Sequence, residues 1–330
     1  MALERDFPED PTKPSLRYAV STLMPLAIPW TNAPMQVGTP LLESTKGSEF
    51  RFGSESAFDS DSLHSTPLTF AETCSGLLNE ATVAGSSNSH RNLSVDVAGS
   101  IGGSVIGASA RGQYSKNSNR DESLNKASIH TSFRCGKVTL AHFPGLSKDA
   151  IDILSTSTDP VRAFSDKFGD YFVGGYILGG ANSTLAWGEG STQGSSERLD
   201  ISFEVHLLFL SYSDTISRHS ADFSSAAAAT LAAFDSLEEF QTHIEAREYE
   251  SYRNAIQSSH DNRQRGAALQ KRVRAKLNAL NLGSTGAQLP WEKCDELCKS
   301  GLVLELLLLP WAGLREYRSA ISATRGVKTA

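Results

Sequence analysis

The side chains that most often carry chemistry are present in this chain, but they are not arranged for it. Eight histidines are scattered, with no HExxH and no pair at ligand spacing, and the four cysteines stand at 74, 135, 294 and 298. Cys294 and Cys298 lie four apart on an expected helix and so share a face; that spacing reads as core packing before it reads as a redox or zinc pair. No nucleophile elbow, P-loop or GxGxxG is found, although glycine is abundant. An active site would have to be assembled from residues distant in sequence. The expectation is a protein that is not an enzyme, with no cofactor, no metal site, and free thiols in a reducing compartment.

Charge gives one local signal. The run NRQRGAALQKRVRAK places Arg263, Arg265, Lys271, Arg272, Arg274 and Lys276 on an expected helix. The first reading is a solvated face. Docking on anionic lipid headgroups is the minority reading, at about 1 kcal/mol per basic residue near such a surface. No aromatic platform is interleaved with the charges, so no nucleic acid is expected as a partner. The whole chain is mildly acidic, with formal net charge -6, 39% hydrophobic and 21% charged residues. That composition is globular rather than disordered. Asn92 and Asn182 fit the glycosylation pattern.

The start of the chain lacks the basic stretch and apolar core of a secretory signal, and no apolar run is long enough for a membrane-crossing helix. GLVLELLLLPW is too short, carries Glu305, and reads as a buried strand or helix. The chain is therefore expected to be made as a soluble cytoplasmic protein, released if at all by a non-classical route. Residues 1–40 are proline-rich and read as an extended arm, and 41–330 as a single domain.

Within that domain the period is mostly two. EFRFG, LTFAE and SIHTSFRCGKVTLAHF read as strands. Leu93, Val95, Val97, Ile101 and Val105 alternate with polar or small residues, with a slip at Ile106. Leu199, Ile201, Phe203, Val205 and Leu207 alternate more cleanly. LSKDAIDIL reads as a helix capped by Ser147, and DPVRAFSDKF as one with Pro160 in its first position. From about Ala221 to Leu282 the alanine-rich sequence predicts helix, stopping at Gly283; the tail predicts a short helix and then a buried element.

Between the capped helices and that region lies KFGDYFVGGYILGG, a strand with two glycine pairs. Glycine in a strand interior marks a bend or a close backbone approach. Phe168, Gly169, Asp170, Tyr171 and Phe172, then six residues, then Gly179 and Gly180, resemble the signature of the membrane attack complex/perforin (MACPF) family. Asp170 stands where the family has a hydroxyl-bearing residue, and Tyr171 where it has histidine. The variant is similar to small fungal members, which often carry GD followed by two aromatics. The likeness spans about residues 90 to 320.

The resemblance implies an α+β fold: a bent, twisted antiparallel sheet flanked by helical clusters that unfurl into amphipathic hairpins. It implies a membrane-binding, oligomerising β-barrel pore former, a cytolytic toxin of ring or arc form whose partner is a lipid membrane. The ten alternating residues of 93–105 and 199–207 would then be membrane-inserting, with Asp96, Glu204 and His206 facing the lumen. The chain is expected to end with its domain, so a separate small lipid-binding partner protein enters as a further expectation. The alternative, favoured by the slip at Ile106, is a non-lytic intracellular interaction or developmental protein.

Overall fold

The computed structural model describes residues 24–30, 33–43, 50–73, 77–84, 126–188, 229–238, 240–246 and 249–327. They form an α+β fold around one 11-stranded sheet whose neighbouring strands all pair antiparallel. In chain order its strands are β1 (Leu26–Pro29), β2 (Pro40–Glu43), β3 (Phe50–Phe52), β4 (Leu68–Glu72) and β5 (Leu77–Ala84). The long central strands β6 (Lys126–Leu140) and β7 (Tyr171–Gly188) follow, then β8 (Ala229–Asp235), β9 (Phe240–Ala246), β10 (Gln288–Leu289) and β11 (Val303–Pro310).

Seven helices are described: α1 (Ser60–Ser65), α2 (Lys148–Thr156), α3 (Pro160–Phe168), α4 (Tyr249–Ala267), α5 (Leu269–Ala279), α6 (Cys294–Lys299) and α7 (Arg315–Val327). Their starts are written locally. The Ser147 hydroxyl accepts the Ala150 amide, and the Asp159 carboxylate accepts that of Arg162 beside Pro160 at the first position of α3. Each such cap satisfies an amide that the helix leaves unpaired. No described helix is long and apolar enough to cross a membrane.

Two sequence expectations change here. The alanine-rich stretch expected as helix from Ala221 is two strands where its first part is described, β8 at 229–235 and β9 at 240–246, and the first helix described after them starts at Tyr249. β8 lies between β7 and β9, and Leu231, Ala232, Ala233 and Phe234 are all buried. A strand covered on both faces shows no alternation, and tertiary packing overrides the weak helix preference of alanine. Second, part of the segment read as an arm belongs to the sheet. Leu26–Pro29 pairs with β11, and Trp30, Met35 and Val37 are core residues.

The main core lies in the half of the sheet built from β1, β2, β4, β10, β11 and the first part of β7. Phe58, Phe164, Phe172 and Trp311 meet there with ring centroids 4.3 to 5.7 Å apart. All four are fully buried, and each side chain of this kind contributes roughly 1.5–3 kcal/mol by burial.

Candidate conformational hinge at the glycine seam

The KFGDYFVGGYILGG stretch starts where α3 stops. Gly169 has φ +66°, a left-handed conformation that side-chain-bearing residues avoid, and its amide donates to the Ser165 carbonyl. A Cβ at Gly169 would overlap the Leu41 carbonyl, so β2 approaches this turn at bare-backbone distance. Phe168 and Phe172 point into the aromatic core, and the Trp311 indole donates to the Phe168 carbonyl at 3.1 Å. The Tyr171 hydroxyl donates to Met24, and the Asp170 carbonyl accepts the Trp311 amide. The first half of the signature thus locks the α3–β7 turn.

Gly179 and Gly180 sit at a different feature. Along one side β7 pairs with β11 from Tyr171 to Leu178 and then with β8 from Asn182 to Gly188. The swap falls on Gly179, Gly180 and Ala181. At the same level β6 exchanges β4, which ends opposite Gly136, for β5, which begins opposite Phe133. Among the described residues, then, only β6 and β7 run unbroken through a seam. A basal half (β1, β11, β7, β6, β4, β10, with β2 and β3) lies on one side and a distal half (β5, β6, β7, β8, β9) on the other.

Register also shifts there, at Arg134/Gly136 in β6 and Val303/Glu305 in β11, and again at Leu307/Leu308 beside Gly174 and Gly175. Such bulges locally increase strand twist and bend. A Cβ at Gly179 would run into the Phe133 carbonyl and lie 2.8 Å from a Leu304 methyl, while one at Gly180 would meet Val273 and Leu269 of α5 at 2.8 and 2.9 Å. Glycine is required at the seam because strand and helix press on both faces of it.

Beside the Val273 and Leu269 contacts, the helical face of the seam carries a hydrogen-bonded polar cluster built from β7, β8, α4 and α5. Asn182 donates to Asp235 at 2.8 Å and to Asn262 at 2.7 Å; Asn262 donates to the Ser183 carbonyl and the Thr184 hydroxyl. Arg272 grips the Asp235 carboxylate at 2.7 and 3.0 Å and reaches Glu238 at 2.7 Å. Asp235 is completely buried, so this pairing offsets a heavy desolvation cost. Asn182 is the asparagine of a glycosylation pattern, yet its amide is committed inside the fold.

The basic run is corrected as well. Arg265 pairs with Glu238, Arg272 with Asp235 and Glu238, and Lys276 donates to the carbonyls of Leu237 and Ser300. Half of a supposedly solvated face holds the turn after β8. Sequence reasoning missed Asn182, Asp235 and Asn262. The available signal was a side chain of high desolvation cost inside small or apolar runs, GGANST and LAAFDS.

The ten candidate inserting residues, Leu93, Val95, Val97, Ile101, Val105, Leu199, Ile201, Phe203, Val205 and Leu207, lie outside the described residues, as do Asp96, Glu204 and His206. Their attachment points are described. Residues 85–125 join β5 to β6 and 189–228 join β7 to β8. All four strand ends stand at one level: Ala84 opposite Lys126, Lys126 opposite Trp187, and Trp187 opposite Thr230.

Elsewhere, His130 Nδ1 lies 2.7 Å from the Ser183 hydroxyl, a nucleophile–base distance, but Ser183 is completely buried. A cleft of about 330 Å³ opens away from the seam, lined among others by Gln36, Glu55, His64, Asp149 and Trp291. Its Asp149 is paired with Lys167, and His64 packs on Trp291 at 4.2 Å.

No family model matches this sequence, and no curated protein matches it. Among solved structures, the chain is similar to GNIP1Aa from Chromobacterium piscinae at 13% identity and TM-score 0.29, over 89% of this chain and 54% of that one. It is similar also to a putative cell invasion protein with a MAC/Perforin domain from Bacteroides thetaiotaomicron, at 13% identity and TM-score 0.26, over 70% and 57%. The chain spans just over half the length of both.

Proposed function

We propose that this protein is a non-enzymatic, membrane-binding pore former of the MACPF type, acting as a ring or arc of copies. The observation that supports this most is the level alignment of the four strand ends in the distal half. Two stretches of about 40 residues each leave and return between strands already paired antiparallel. If each re-forms as a hairpin, it extends its parent strands without any change of register.

The lengths suffice. Half of such a stretch is roughly 20 residues, which at about 3.3 Å per residue reaches about 65 Å. The hydrocarbon core needs about 30 Å, or some 9–11 tilted residues per strand. Only a closed barrel satisfies every backbone group in lipid, so the hairpins of neighbouring copies must pair. On this reading the ten alternating residues face lipid, while Asp96, Glu204 and His206 face the lumen.

The test uses dye-loaded liposomes with single cysteines carrying an environment-sensitive fluorophore, placed one at a time along 93–97 and 199–207 in a background lacking Cys74. On membrane addition, odd positions should move to an apolar environment and even positions should stay aqueous, together with dye release. Release that appears only with an added lipid-binding protein would assign binding to a partner. Labels that never alternate, with no release under either condition, would leave the non-lytic reading standing.

A further inference from the structure

Each face of the seam carries a charged contact, one at its level and one that spans it. Arg134 lies in the β6 bulge opposite Gly179, and its guanidinium pairs with Glu305 of β11. These strands are not neighbours, since β7 runs between them. Their side chains meet across β7, beside Gly179, which carries no side chain. Glu305 is also the lone carboxylate in the strand VLELLLLP, and its side chain is only 13% exposed. A charge so placed is costly without its partner.

On the opposite face the Lys276 ammonium donates to two carbonyls. Leu237 lies in the turn that leaves β8, in the distal half; Ser300, at 2.6 Å, lies at the end of α6 and leads into β11, in the basal half. The backbones meet there too, because a Cβ at Gly301 would overlap the Ser236 carbonyl. One ammonium therefore pins both sides of the seam where their chains touch.

We propose that Arg134–Glu305 and Lys276 form a two-sided charged latch that fixes the angle between the sheet halves, and that loss of these charges frees the seam to flex. The proposal rests on the hinge reading of the glycine seam and not on pore formation. Glu305 is nearly buried while Arg134 is half exposed, so removing either partner leaves the Glu305 charge poorly compensated. The apolar core, concentrated in the basal half, holds the fold whether the latch is made or broken.

Spin labels at Lys148→Cys on α2 and Glu245→Cys on β9, in a Cys74→Ser background without lipid, report the distance between the halves by pulsed electron resonance. The parent should give one narrow distance. Glu305→Gln with Lys276→Met should add a second distance or broaden the first, and the exchanged pair Arg134→Glu with Glu305→Arg, Lys276 kept, should restore the narrow one. A distribution unchanged in the double variant overturns the latch, as does an exchanged pair no narrower than Glu305→Gln alone. If the double variant loses its native circular dichroism, the single variants Arg134→Gln and Lys276→Met decide in its place: at least one should broaden the distance, and two unchanged distributions overturn the latch. Dye release is measured separately, so failure of the latch leaves the pore reading where it stood.

Discussion

Single residues set the tolerances of this molecule. Gly169 and Gly286 both have positive φ, but a Cβ at Gly169 meets the Leu41 backbone whereas one at Gly286 meets nothing within 4 Å. Gly286→Ala should then cost only the backbone strain, about 1 kcal/mol, and Gly169→Ala about 3 kcal/mol or more; chemical denaturation of both variants measures the difference. The buried thiols make a second case. Burial pushes Cys135 and Cys298 up to about 12 from an ordinary 9.0, and raises Cys294 too. In a Cys74→Ser protein a chromogenic thiol reagent should find no reactive thiol at pH 8 until denaturant is added, because thiolate is the reacting form.

The same burial holds Tyr171 and Tyr317 at about 12 against an ordinary 10.0. These groups fold protonated, so their contribution is complete below pH 9. It is lost as pH rises from about 9 towards 12, because the unfolded chain releases those protons first. Thermal melts should shift little between pH 7 and 9 and fall steeply above it. A flat Tm through pH 11 would contradict the burial of these hydroxyls and thiols.

Elements show why small residues were chosen. β8 lies between β7 and β9 with Ala232 and Ala233 on its opposite faces, and both are buried. Ala232→Leu should destabilise the fold by about 1–3 kcal/mol through overpacking, while Ala268→Leu, exposed between α4 and α5, should change it by less than about 0.5 kcal/mol. Parallel urea titrations separate the two. Caps are equally local: Ser147→Ala removes the acceptor of the Ala150 amide and should cost about 1 kcal/mol. The Ser147 cap and Pro160 at the start of α3 were legible in the sequence, because each acts within one turn; the Asp159 cap was not read there. β8 was not legible, because alanine in a strand is favoured only by what lies above and below it.

At the scale of the whole molecule, the distal half has five strands in the order β5, β6, β7, β8, β9. With every neighbour antiparallel, its two edges β5 and β9 run in the same direction. Copies related by rotation about one axis therefore close an all-antiparallel barrel only with an even number of strands each, and β9 is the odd one. A disulfide between Ala233→Cys and Thr242→Cys, a directly opposed pair, should hold β9 in place. It should abolish dye release while leaving liposome binding intact, with release restored by reductant. Release that persists in the oxidised form would show that β9 stays where it is in the pore.

What the chain alone determined was whatever acts over a few residues: the Ser147 cap and the Pro160 helix start, the strands at 50–52, 68–72 and 126–140, the absence of a membrane-length apolar run, and a glycine strand built for close approach. Its reading of KFGDYFVGGYILGG as a strand that must bend or be crowded needed no partner. Tertiary structure decided where that crowding lies and what it is for. Gly179 is indispensable because Phe133 and Leu304, distant in sequence, press on it; Asp235, at the end of a strand, is tolerated only because Arg272 arrives from α5. The sheet seam, the polar cluster and the inward turn of half the basic run all depend on contacts between segments far apart in the chain, and local periodicity carries no record of such contacts.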